Sequence, residues 1–333
     1  MELSSSSERQ YDATKTSEDE RDKSDKTYHK YIERISTLPV WGEDPSVKHY
    51  KYQNFWFSHY YLERIMFAQE HFRAQSSDIL LSSAPKTGTT WLKALAFSIV
   101  TRNCFDDSMN PLLTSNPHDC VPFVEVDLAQ NPPNRHLDHP LISTHIPYTS
   151  LPESIIASGC KIIYICRDPK DVFVSMWQFA CKVTQPIPLE IAFEMFCGGM
   201  YLYGPYLDHV LGYWKASLER PDMILFLKYE DLKRDTLSNL KTLAMFMGQP
   251  FSEEEERNGV SEKIIQLCSF EHLSNLEVNK SGKHRAEAPV AIPNNAFFRK
   301  GKVGDSENHL TLEMKKCLDG IIEQKLRDSG LNF

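Results

Sequence analysis

Short runs of mostly apolar, strand-forming residues, each followed by helical periodicity, constrain the fold of this chain more than any other feature. The run Asp78–Ala84 leads through a short loop into a predicted helix from Thr89 to about Thr101. Lys161–Cys166 leads into a second helix, which Asp168 can cap. Such apolar strands are typical of parallel sheets that helices cover on both sides. We therefore expect an α/β fold with a central parallel sheet, in which ligands bind at the carboxyl ends of the strands.

The same pattern extends over most of the chain. The further predicted strands are Leu141–Thr144 and Met223–Leu227. The further predicted helices are Leu232–Met247, Glu253–Leu267 and Leu312–Leu326. No internal repeat divides these elements, so residues 36–333 are predicted to form a single domain. The stretch Ser281–Asn295 has no regular pattern, and a loop of that length in a compact domain is often a lid over a ligand site.

The first 35 residues differ in composition from the rest of the chain. They are rich in Ser, Asp, Glu and Lys, and between residues 4 and 26 only Tyr11 and Ala13 carry apolar side chains. Such a segment cannot offset the entropy of ordering by burying apolar surface. Residues 1–35 are therefore predicted to be a disordered polar tail, and a short helix is expected near Tyr31–Pro39.

The net charge of −8 at pH 7 argues against a nucleic-acid partner, because a protein needs a basic surface to bind such a polyanion. The sequence has no apolar stretch long enough to span a membrane, and it does not open with a secretory signal. Its eight cysteines include no CxxC pair and no zinc-type spacing. We therefore expect reduced thiols in a cytoplasmic protein without a metal site. An anionic ligand would have to be held by a local cluster of cations.

One candidate for such a cluster runs from Ala84 to Trp91, reads APKTGTTW and lies between a predicted strand and a predicted helix. Gly88 permits a tight turn there, and the helix that follows directs its first amide groups and its dipole at an anion. The segment is not a Walker A loop, because Lys86 precedes the glycine instead of following it. Taken alone, it is also consistent with an ordinary turn and an exposed lysine.

Two further segments concentrate positive charge. Arg167 ends a buried strand beside the start of a helix, which is a common arrangement for binding phosphate. Residues 298–304, FRKGKVG, place three cations around two glycines directly after the long loop. Each segment alone is also consistent with a capped helix or a solvated turn. Together, the three clusters supply more positive charge than a single monophosphate requires.

Four motifs, in this order, resemble those of the cytosolic sulfotransferases. They are PKTGTTW at residues 85–91, Thr144-His145 at a strand end, RDPKDVFVS at residues 167–175, and RKGxxGD at residues 299–305. The resemblance spans roughly residues 51–333. Residues 116–122, NPHDCVP, and 267–271, LCSFE, are similar to the plant branch of the family. Within that branch the chain looks most like the flavonol sulfotransferases.

The resemblance implies a set of roles for residues of this chain. The donor would be 3′-phosphoadenosine 5′-phosphosulfate (PAPS), which leaves as 3′,5′-bisphosphoadenosine (PAP), and no metal would be needed. The residues implied to hold its 5′-phosphosulfate are Lys86, Thr87, Gly88, Thr89 and Thr90. The residues implied to bind its 3′-phosphate are Arg167, Ser175, Arg299, Lys300 and Gly301. The aromatic residues implied to contact its adenine are Trp91, Phe270 and Tyr203.

Two of the matching positions would carry the chemistry. Sulfuryl transfer is similar to phosphoryl transfer, in which negative charge grows on the leaving oxygen of an in-line displacement. Lys86 would neutralise that charge. His145 matches the catalytic histidine and, with an ordinary pKa of about 6.5, would remove the proton of the acceptor hydroxyl. Without the surrounding motifs, His145 would be interpreted as a hydrogen-bonded core residue.

The chain departs from the family pattern at a few positions. Ser306 stands where a tryptophan is common, which affects the expected packing of the final loop. Thr87 replaces the usual serine but keeps a hydroxyl, and Ser143 stands where some animal members carry a lysine. In the segment through which many members dimerise, the charges of Glu307 and Lys316 are exchanged relative to the family. Exchanged charges could still pair across a two-fold axis, or they could be part of the exposed surface. Of the two assemblies we favour a monomer.

The sequence leaves the acceptor open. The regions expected to line an apolar acceptor pocket are residues 41–57, Phe123, Trp177–Phe179 and the lid at 281–295. Such a pocket suits a flavonol or another small phenol, but it would also accept a brassinosteroid, a hydroxyjasmonate or a salicylate. Two other functions remain open at this point: a Mg²⁺-dependent nucleotide kinase or P-loop NTPase, and a nucleotide-binding protein without catalytic activity.

Overall fold

The computed structural model describes residues 30–42, 48–128, 138–285 and 291–333. Residues 1–29, which make up most of the predicted polar tail, lie outside this part of the chain. Residues 30–36 form a helix, α1, in which Tyr31 and Ile35 are buried. The helix therefore crosses the predicted boundary between tail and domain, in the region where a short helix was expected.

A small antiparallel sheet and a helix follow α1. The elements are β1 (Val40–Trp41), β2 (His49–Tyr52), β3 (Phe55–Ser58) and α2 (His59–His71). Gln53 and Asn54 both adopt positive φ angles, 49° and 71°, which is the backbone geometry of a two-residue hairpin turn. Phe57 on β3 is fully buried, and its ring centroid lies 5.5 Å from that of Tyr203. This sheet therefore supports one wall of the cavity described below.

A four-stranded parallel sheet forms the centre of the fold. Its strands are β4 (Ile79–Ser83), β5 (Leu141–Thr144), β6 (Lys161–Cys166) and β7 (Ile224–Lys228). They pair in the order β5-β4-β6-β7. The predicted central parallel sheet is confirmed, and each strand lies within one residue of its predicted bounds.

Alternate residues of β4 contribute to two different parts of the hydrophobic core. Leu80 packs in a cluster with Ile142, whereas Ile79 and Leu81 pack in a second cluster. The second cluster contains the apolar side of α3 (Thr89–Thr101), whose bounds match the prediction. The sheet is thus covered on both faces, as the apolar strands predict.

The remaining helices complete the domain. They are α4 (Pro117–Cys120), α5 (Glu153–Ser158), α6 (Pro169–Val183), α7 (Leu189–Cys197), α8 (Tyr206–Glu219), α9 (Tyr229–Arg234), α10 (Thr236–Phe246), α11 (Glu253–Arg257), α12 (Val260–Leu267), α13 (Phe270–Asn275), α14 (Glu277–Ser281) and α15 (Leu312–Leu326). Of the helices in the described ranges, none has both the length and the apolar character that crossing a membrane requires.

Two predicted helices are each divided in the structure. The prediction over Leu232–Met247 corresponds to α9 and α10, because Asp235 ends the first and caps the second by accepting a bond from the Ser238 amide at 3.0 Å. The prediction over Glu253–Leu267 corresponds to α11 and α12, which are separated at Gly259 with its φ of 66°. Capping and glycine geometry thus override a continuous helical pattern.

The carboxyl ends of the parallel strands bring the predicted site segments to one edge of the sheet. The residues at or just after these ends include Lys86, His145, Arg167 and Tyr229. At the same edge, Phe123 forms a parallel bridge with Ser143 and leads into one turn of π-helix, Val124–Leu128. Such turns often occur at functional sites.

The predicted lid, Ser281–Asn295, is only partly a loop. β8 (Lys283–His284) and β9 (Ile292–Pro293) pair as an antiparallel hairpin, and Asn294–Ala296 forms a 3₁₀ turn. Residues 286–290 lie outside the described part of the chain. The hairpin brings His284 and Arg285 to the cavity at the edge of the sheet.

Candidate active site

The loop after β4 depends on a glycine. Gly88 has a φ of 114°, and a Cβ at this position would lie 2.8 Å from a ring carbon of Tyr229 and 3.3 Å from Ile165. Any other residue would therefore be strained and would collide with neighbouring side chains. Lys86 also has a positive φ, 69°, which is uncommon for a residue with a side chain and is concentrated at ligand sites. The loop directs Lys86 and the first turn of α3 at the cavity.

The hydroxyl of Thr87 points into the sheet. It donates to the carbonyl oxygens of Ala84 and Ile165, at 2.8 and 3.0 Å, and the residue is fully buried. Thr87 thus fastens the loop to β6. Among the residues implied to hold the phosphosulfate, it can contribute its backbone amide but not its side chain.

The other two threonines of the loop line the cavity. Thr89 Oγ1 lies 2.7 Å from Ser83 Oγ, and Thr90 Oγ1 lies 2.9 Å from His118 Nε2. Both hydroxyls therefore already have a partner within the protein. A hydroxyl has one hydrogen, so each threonine can donate to an anionic ligand only when its present partner is the donor of the bond between them.

Residues from distant segments share this cavity. The residues implied to bind the donor that line it are Lys86, Gly88, Thr89, Thr90, Trp91, Arg167, Ser175, Tyr203, Phe270, Arg299, Lys300 and Gly301. Burial, together with the nearby Arg299 and Arg167, lowers the pKa of Lys86 to about 7. Its Nζ also lies 4.0 Å from the centroid of the Phe179 ring. The structure thus brings together the three cationic segments that the sequence analysis singled out.

Arg167 and Arg299 are held by carboxylates but keep unsatisfied N–H groups. Arg167 Nη2 donates to Asp171 Oδ2 at 2.9 Å and to the Lys302 carbonyl oxygen at 2.7 Å, while Arg299 pairs with Asp305. In the described ranges, the buried Nε atoms of both arginines have no hydrogen-bond partner. Unpaired donors on two cations beside a lysine whose charge is disfavoured suit a bound anion. The cavity therefore fits a phosphorylated donor.

The final loop is anchored without the family tryptophan. Ser306 is buried, and its amide donates to Asp171 Oδ1 at 2.9 Å, while the Gly304 amide donates to Asp171 Oδ2 at 2.8 Å. Burial raises the pKa of Asp305, but hydrogen bonds from Lys300 and Arg299 outweigh this and hold it well below its usual range. The loop is thus tied to α6 through Asp171.

Aromatic rings line the side of the cavity near α3. The ring centroids of Trp91 and Tyr229 are 5.7 Å apart, and a Cβ at Gly301 would lie 2.5 Å from the ring of Phe270. Gly301 therefore lets the final loop approach Phe270 closely. Tyr229 was not predicted as a site residue, although an aromatic residue just after the predicted strand Met223–Leu227 is a signal that could have found it.

Tyr203 lies elsewhere than the implied adenine contact requires. Its ring centroid is 5.5 Å from those of His145 and Tyr61, and its hydroxyl donates to Glu125 Oε1 at 3.3 Å. Its amide donates to the carbonyl oxygen of Trp56 at 3.1 Å, so β3 places this residue. The expected contact with adenine does not fit this position, because Tyr203 belongs to the wall that surrounds His145.

His145 is fixed at three atoms. Its amide donates to Glu125 Oε1 at 2.9 Å, and its carbonyl oxygen accepts from His209 Nε2 at 2.9 Å. Its Nδ1 lies 2.7 Å from the carbonyl oxygen of Ser83. Because a carbonyl oxygen can only accept, Nδ1 carries the proton and the neutral ring has its lone pair on Nε2. Burial lowers the pKa of His145 to about 3, so the ring is neutral at physiological pH and can accept a proton at Nε2.

A buried carboxylate beside His145 was not predicted from the sequence. Glu125 lies in the π-helix and accepts bonds from the His145 amide, the Tyr203 hydroxyl and, at 2.8 Å, the Thr144 hydroxyl. Burial raises its pKa. No local motif marks Glu125, because its partners come from β5 and from the loop after α7.

Two further buried histidines that line the cavity were also not predicted. The ring centroids of His118 and His284 are 5.6 Å apart. The residue after His284, Arg285, donates from Nε and Nη2 to the two carboxylate oxygens of Asp127, each at 3.0 Å. These residues add polar groups to a part of the cavity that is otherwise aromatic.

The regions expected to line an acceptor pocket contribute unequally. Phe123, Phe179 and the β8–β9 hairpin line the cavity, whereas the described residues of 41–57 do not, and Tyr61 of α2 takes their place. Trp177 is turned aside, since its Nε1 donates to the carbonyl oxygen of Ile187 at 2.8 Å. Within the described ranges, no group of three His, Cys, Asp or Glu side chains is placed to hold a metal ion.

Comparisons with known proteins found a matching family and several similar chains. Residues 76–330 match the family described as "Sulfotransferase domain". The chain is similar to Cytosolic sulfotransferase 16 of Arabidopsis thaliana, with 51% identity over 317 residues that cover 92% of this chain and 93% of the relative. Flavonol 3-sulfotransferase of Flaveria bidentis is 52% identical over 287 residues, 85% of this chain and 92% of the relative. The crystal structure of mouse sulfotransferase SULT7A1 complexed with PAP is 27% identical, covers 84% of this chain and 95% of its own, and has a TM-score of 0.65.

Proposed function

Because this chain belongs to the sulfotransferase family and is a PAPS-dependent transferase, we propose that it moves the sulfuryl group of PAPS to a hydroxyl of a flavonol or another small phenol. The observation that carries the proposal is the joint position of three cations and a neutral histidine. The residues concerned, which line one cavity, are Lys86, Arg167, Arg299 and His145. The cations suit a doubly phosphorylated donor, and the histidine suits an acceptor whose hydroxyl must lose a proton.

The donor is assigned to the cationic side of the cavity. Its 5′-phosphosulfate lies at Lys86 and the first amides of α3, where the helix dipole favours an anion. The residues assigned to the 3′-phosphate are Arg167, Ser175, Arg299, Lys300 and Gly301. The rings assigned to the adenine are Trp91, Tyr229 and Phe270. A relative 27% identical to this chain, mouse SULT7A1, is complexed with PAP, which supports this assignment.

Lys86 and His145 divide the movement of charge and proton between them. PAPS supplies an activated sulfuryl group, whose bond to the bridging oxygen breaks as the bond to the acceptor oxygen forms. His145 Nε2 accepts the proton of the acceptor hydroxyl. The Lys86 ammonium stabilises the electron pair left on the bridging oxygen. An anion beside Lys86 raises its pKa from about 7, so the side chain is protonated when that charge develops.

The surroundings of His145 orient it for this task. The bond from Nδ1 to the Ser83 carbonyl fixes the tautomer. The backbone is fixed because the His145 amide donates to Glu125 and the His145 carbonyl oxygen accepts from His209. A pKa of about 3 keeps the ring unprotonated before the acceptor arrives. The negative charge of a bound donor favours the imidazolium and raises that pKa toward the working range, which makes the ring a better proton acceptor.

A flat aromatic acceptor suits the surfaces around His145. Phe123, Phe179 and Tyr203 line this part of the cavity, and the relative from Flaveria bidentis is named a flavonol 3-sulfotransferase. The alternative acceptors are a brassinosteroid, a hydroxyjasmonate or a salicylate. We further assign the reaction to the cytoplasm, since the Arabidopsis relatives are named cytosolic. There the protein acts as a monomer on small molecules, without a nucleic-acid or membrane partner.

The test incubates the protein with ³⁵S-labelled PAPS and a panel of acceptors, each with and without EDTA. The panel contains a flavonol, a simple phenol, a brassinosteroid, a hydroxyjasmonate and salicylate. The highest kcat/KM for the flavonol or the phenol, unchanged by EDTA, supports the proposal. A higher kcat/KM for another acceptor replaces the acceptor assignment, and loss of transfer in EDTA overturns the metal-free reaction. Binding of PAP without transfer to any acceptor would indicate a catalytically silent protein.

A further inference from the structure

Two buried histidines of the cavity have no part in the mechanism above. His118 and His284 are 5% and 4% exposed, and both line the cavity. In the described part of the chain, His118 Nδ1 and His284 Nε2 are buried and have no hydrogen-bond partner. Since buried polar atoms are nearly always paired, two such atoms on neighbouring rings indicate a ligand group that pairs with them.

The second nitrogen of each ring is fixed, which sets the direction of the unpaired one. His284 Nδ1 donates to Asp119 Oδ1, so a ring that carries one proton has its lone pair on Nε2, on the side away from the carboxylate. His118 Nε2 lies 2.9 Å from Thr90 Oγ1, so its Nδ1 points away from α3. A carboxylate that holds a histidine at one nitrogen orients the other for bonding. When Thr90 donates to His118, the pair offers one acceptor and one donor.

The charge around the pair favours a neutral ligand group. Burial, followed by the nearby Lys93, holds the pKa of His118 well below its usual value, so this ring is uncharged. The carboxylate of Asp119 beside His284 disfavours a second anion at the same place. The nearby cation Arg285 is already paired with Asp127. A hydroxyl, which donates and accepts one bond each, matches the pair better than a carboxylate.

Phe123 lies between this pair and His145. The His118 ring stacks against Phe123 with centroids 5.7 Å apart and planes 13° apart, and the His145 ring centroid lies 4.8 Å from that of Phe123. The ring centroid of Phe297 lies 4.3 Å from that of His118. The two polar positions are therefore separated by about one aromatic ring. An aromatic acceptor beside Phe123 can present one hydroxyl to His145 and another to the histidine pair.

We propose that His118 and His284 form a subsite for a second hydroxyl of the acceptor. The enzyme then selects aromatic acceptors with two hydroxyl groups, on neighbouring rings or opposite ends of the ring system, over acceptors with one. The second hydroxyl donates to His284 Nε2 and accepts from His118 Nδ1. The inference rests on the proposed function, because it concerns the acceptor of the same reaction.

The first test uses the wild-type protein and a matched set of acceptors. It compares kcat/KM for 2-naphthol with the values for 2,6- and 2,7-dihydroxynaphthalene, which add a hydroxyl on the other ring. We expect at least one diol to exceed 2-naphthol by about tenfold or more, since the monohydroxyl acceptor leaves the two nitrogens unpaired. A symmetric diol offers two equivalent hydroxyls, which by itself raises kcat/KM about twofold. If the protein transfers to 2-naphthol and neither diol exceeds it by more than this factor, the subsite is overturned and the proposed function stands. Transfer to none of the three counts against the proposed function itself.

The second test exploits the reach of amide side chains. The amide of glutamine approximates the position of histidine Nε2, and that of asparagine approximates Nδ1. His284→Gln should therefore keep most of the diol preference and His284→Asn should lose it, whereas His118→Asn should keep it and His118→Gln should lose it. The preference is the ratio of kcat/KM for the diol to kcat/KM for 2-naphthol, measured with the same variant. The fraction of active protein therefore does not affect it. Equal ratios for the two variants at either position would overturn the assignment, and the wild-type ratio decides the matter if a variant does not fold.

Discussion

The donor side and the acceptor side of the cavity are built in opposite ways. On the donor side, Lys86, Arg167 and Arg299 gather positive charge that burial disfavours, and the pKa of Lys86 falls to about 7 as a result. On the acceptor side, the cation Arg285 is paired with Asp127 and the ring of His145 is neutral. One side is thus prepared for an anion and the other for the loss of a proton.

The difference shows why one cavity needs two kinds of surroundings. A site for two phosphates is more favourable when its cations repel each other before binding, because the ligand relieves that repulsion. A proton acceptor needs the reverse, since a nearby cation opposes its protonation. Glu125 behind His145 and the donor's own negative charge both favour the imidazolium. The following variants test this division of roles, in order of expected effect.

The largest effect is expected at His145. His145→Ala should lower kcat by about 10²–10⁴-fold, because the acceptor hydroxyl loses its general base. The affinity for PAP, measured by calorimetry, should change by no more than a few-fold, because His145 lies on the acceptor side. His145→Asn keeps an amide near the Ser83 carbonyl but lacks a base at the Nε2 position, so it should be as inactive as the alanine variant. Substantial turnover in either variant would place the base elsewhere.

The next effect is expected on donor affinity. Arg299→Ala should raise the Kd of PAP by about 10- to 100-fold, because a charge-assisted bond to the 3′-phosphate is lost. Lys302→Ala is the matched control, because it removes the same charge from the same loop. Lys302 is exposed, and its side chain does not line the cavity. Calorimetric titration of both variants should separate them clearly. A similar Kd in both would mean that net charge, and not a contact with Arg299, sets the affinity.

A third effect follows from the pKa of Lys86. The free protein holds this lysine about half deprotonated near pH 7, whereas a bound anion favours the protonated form. Binding therefore takes up protons at higher pH, and the Kd of PAP should rise by about tenfold between pH 7 and pH 8.5. Lys86→Arg stays charged over this range and should show a nearly flat profile. A flat profile in the wild type would show that Lys86 keeps an ordinary pKa or does not meet the donor.

The donor side could be predicted because its parts are local in sequence. A strand, a loop with Lys86 and Gly88, and the helix Thr89–Thr101 follow one another within residues 79–101, and their bounds lie close to the predictions. Strand ends of a parallel sheet meet at one edge whatever the details of packing. Thr87 is the exception, because the direction of its hydroxyl depends on the carbonyl oxygen of Ile165 on another strand.

The acceptor side could not be predicted to the same extent. Tyr203 reaches His145 because its amide pairs with Trp56 on β3, a contact between residues about 150 positions apart. His284 reaches His118 because two short strands fold the predicted lid into a hairpin. Neither contact has a local sequence signal, since each depends on which segments pair in three dimensions. Sequence motifs therefore predicted His145 but not the residues around it.

The smallest effect is expected at Glu125, whose carboxylate accepts a bond from the His145 amide and is proposed to position that residue. Glu125→Gln keeps an oxygen that can accept from the His145 amide, but it removes the negative charge that favours the imidazolium. We expect kcat to fall by about tenfold, with little change in the Kd of PAP. The acidic limb of the kcat profile should also move to lower pH, because the histidine in the complex becomes harder to protonate.

Thermal unfolding distinguishes positioning from support of the fold at Glu125. Burial raises the pKa of this carboxyl because it opposes the ionised form, and a neutral amide of the same size avoids that cost. The Tm of Glu125→Gln should therefore stay within about 3 °C of the wild type. Glu125→Ala leaves three donors unpaired and should lower both Tm and kcat. If the Tm and the kcat of Glu125→Gln instead both fell while its pH profile stayed that of the wild type, the carboxylate would act on the acceptor side only by supporting the fold.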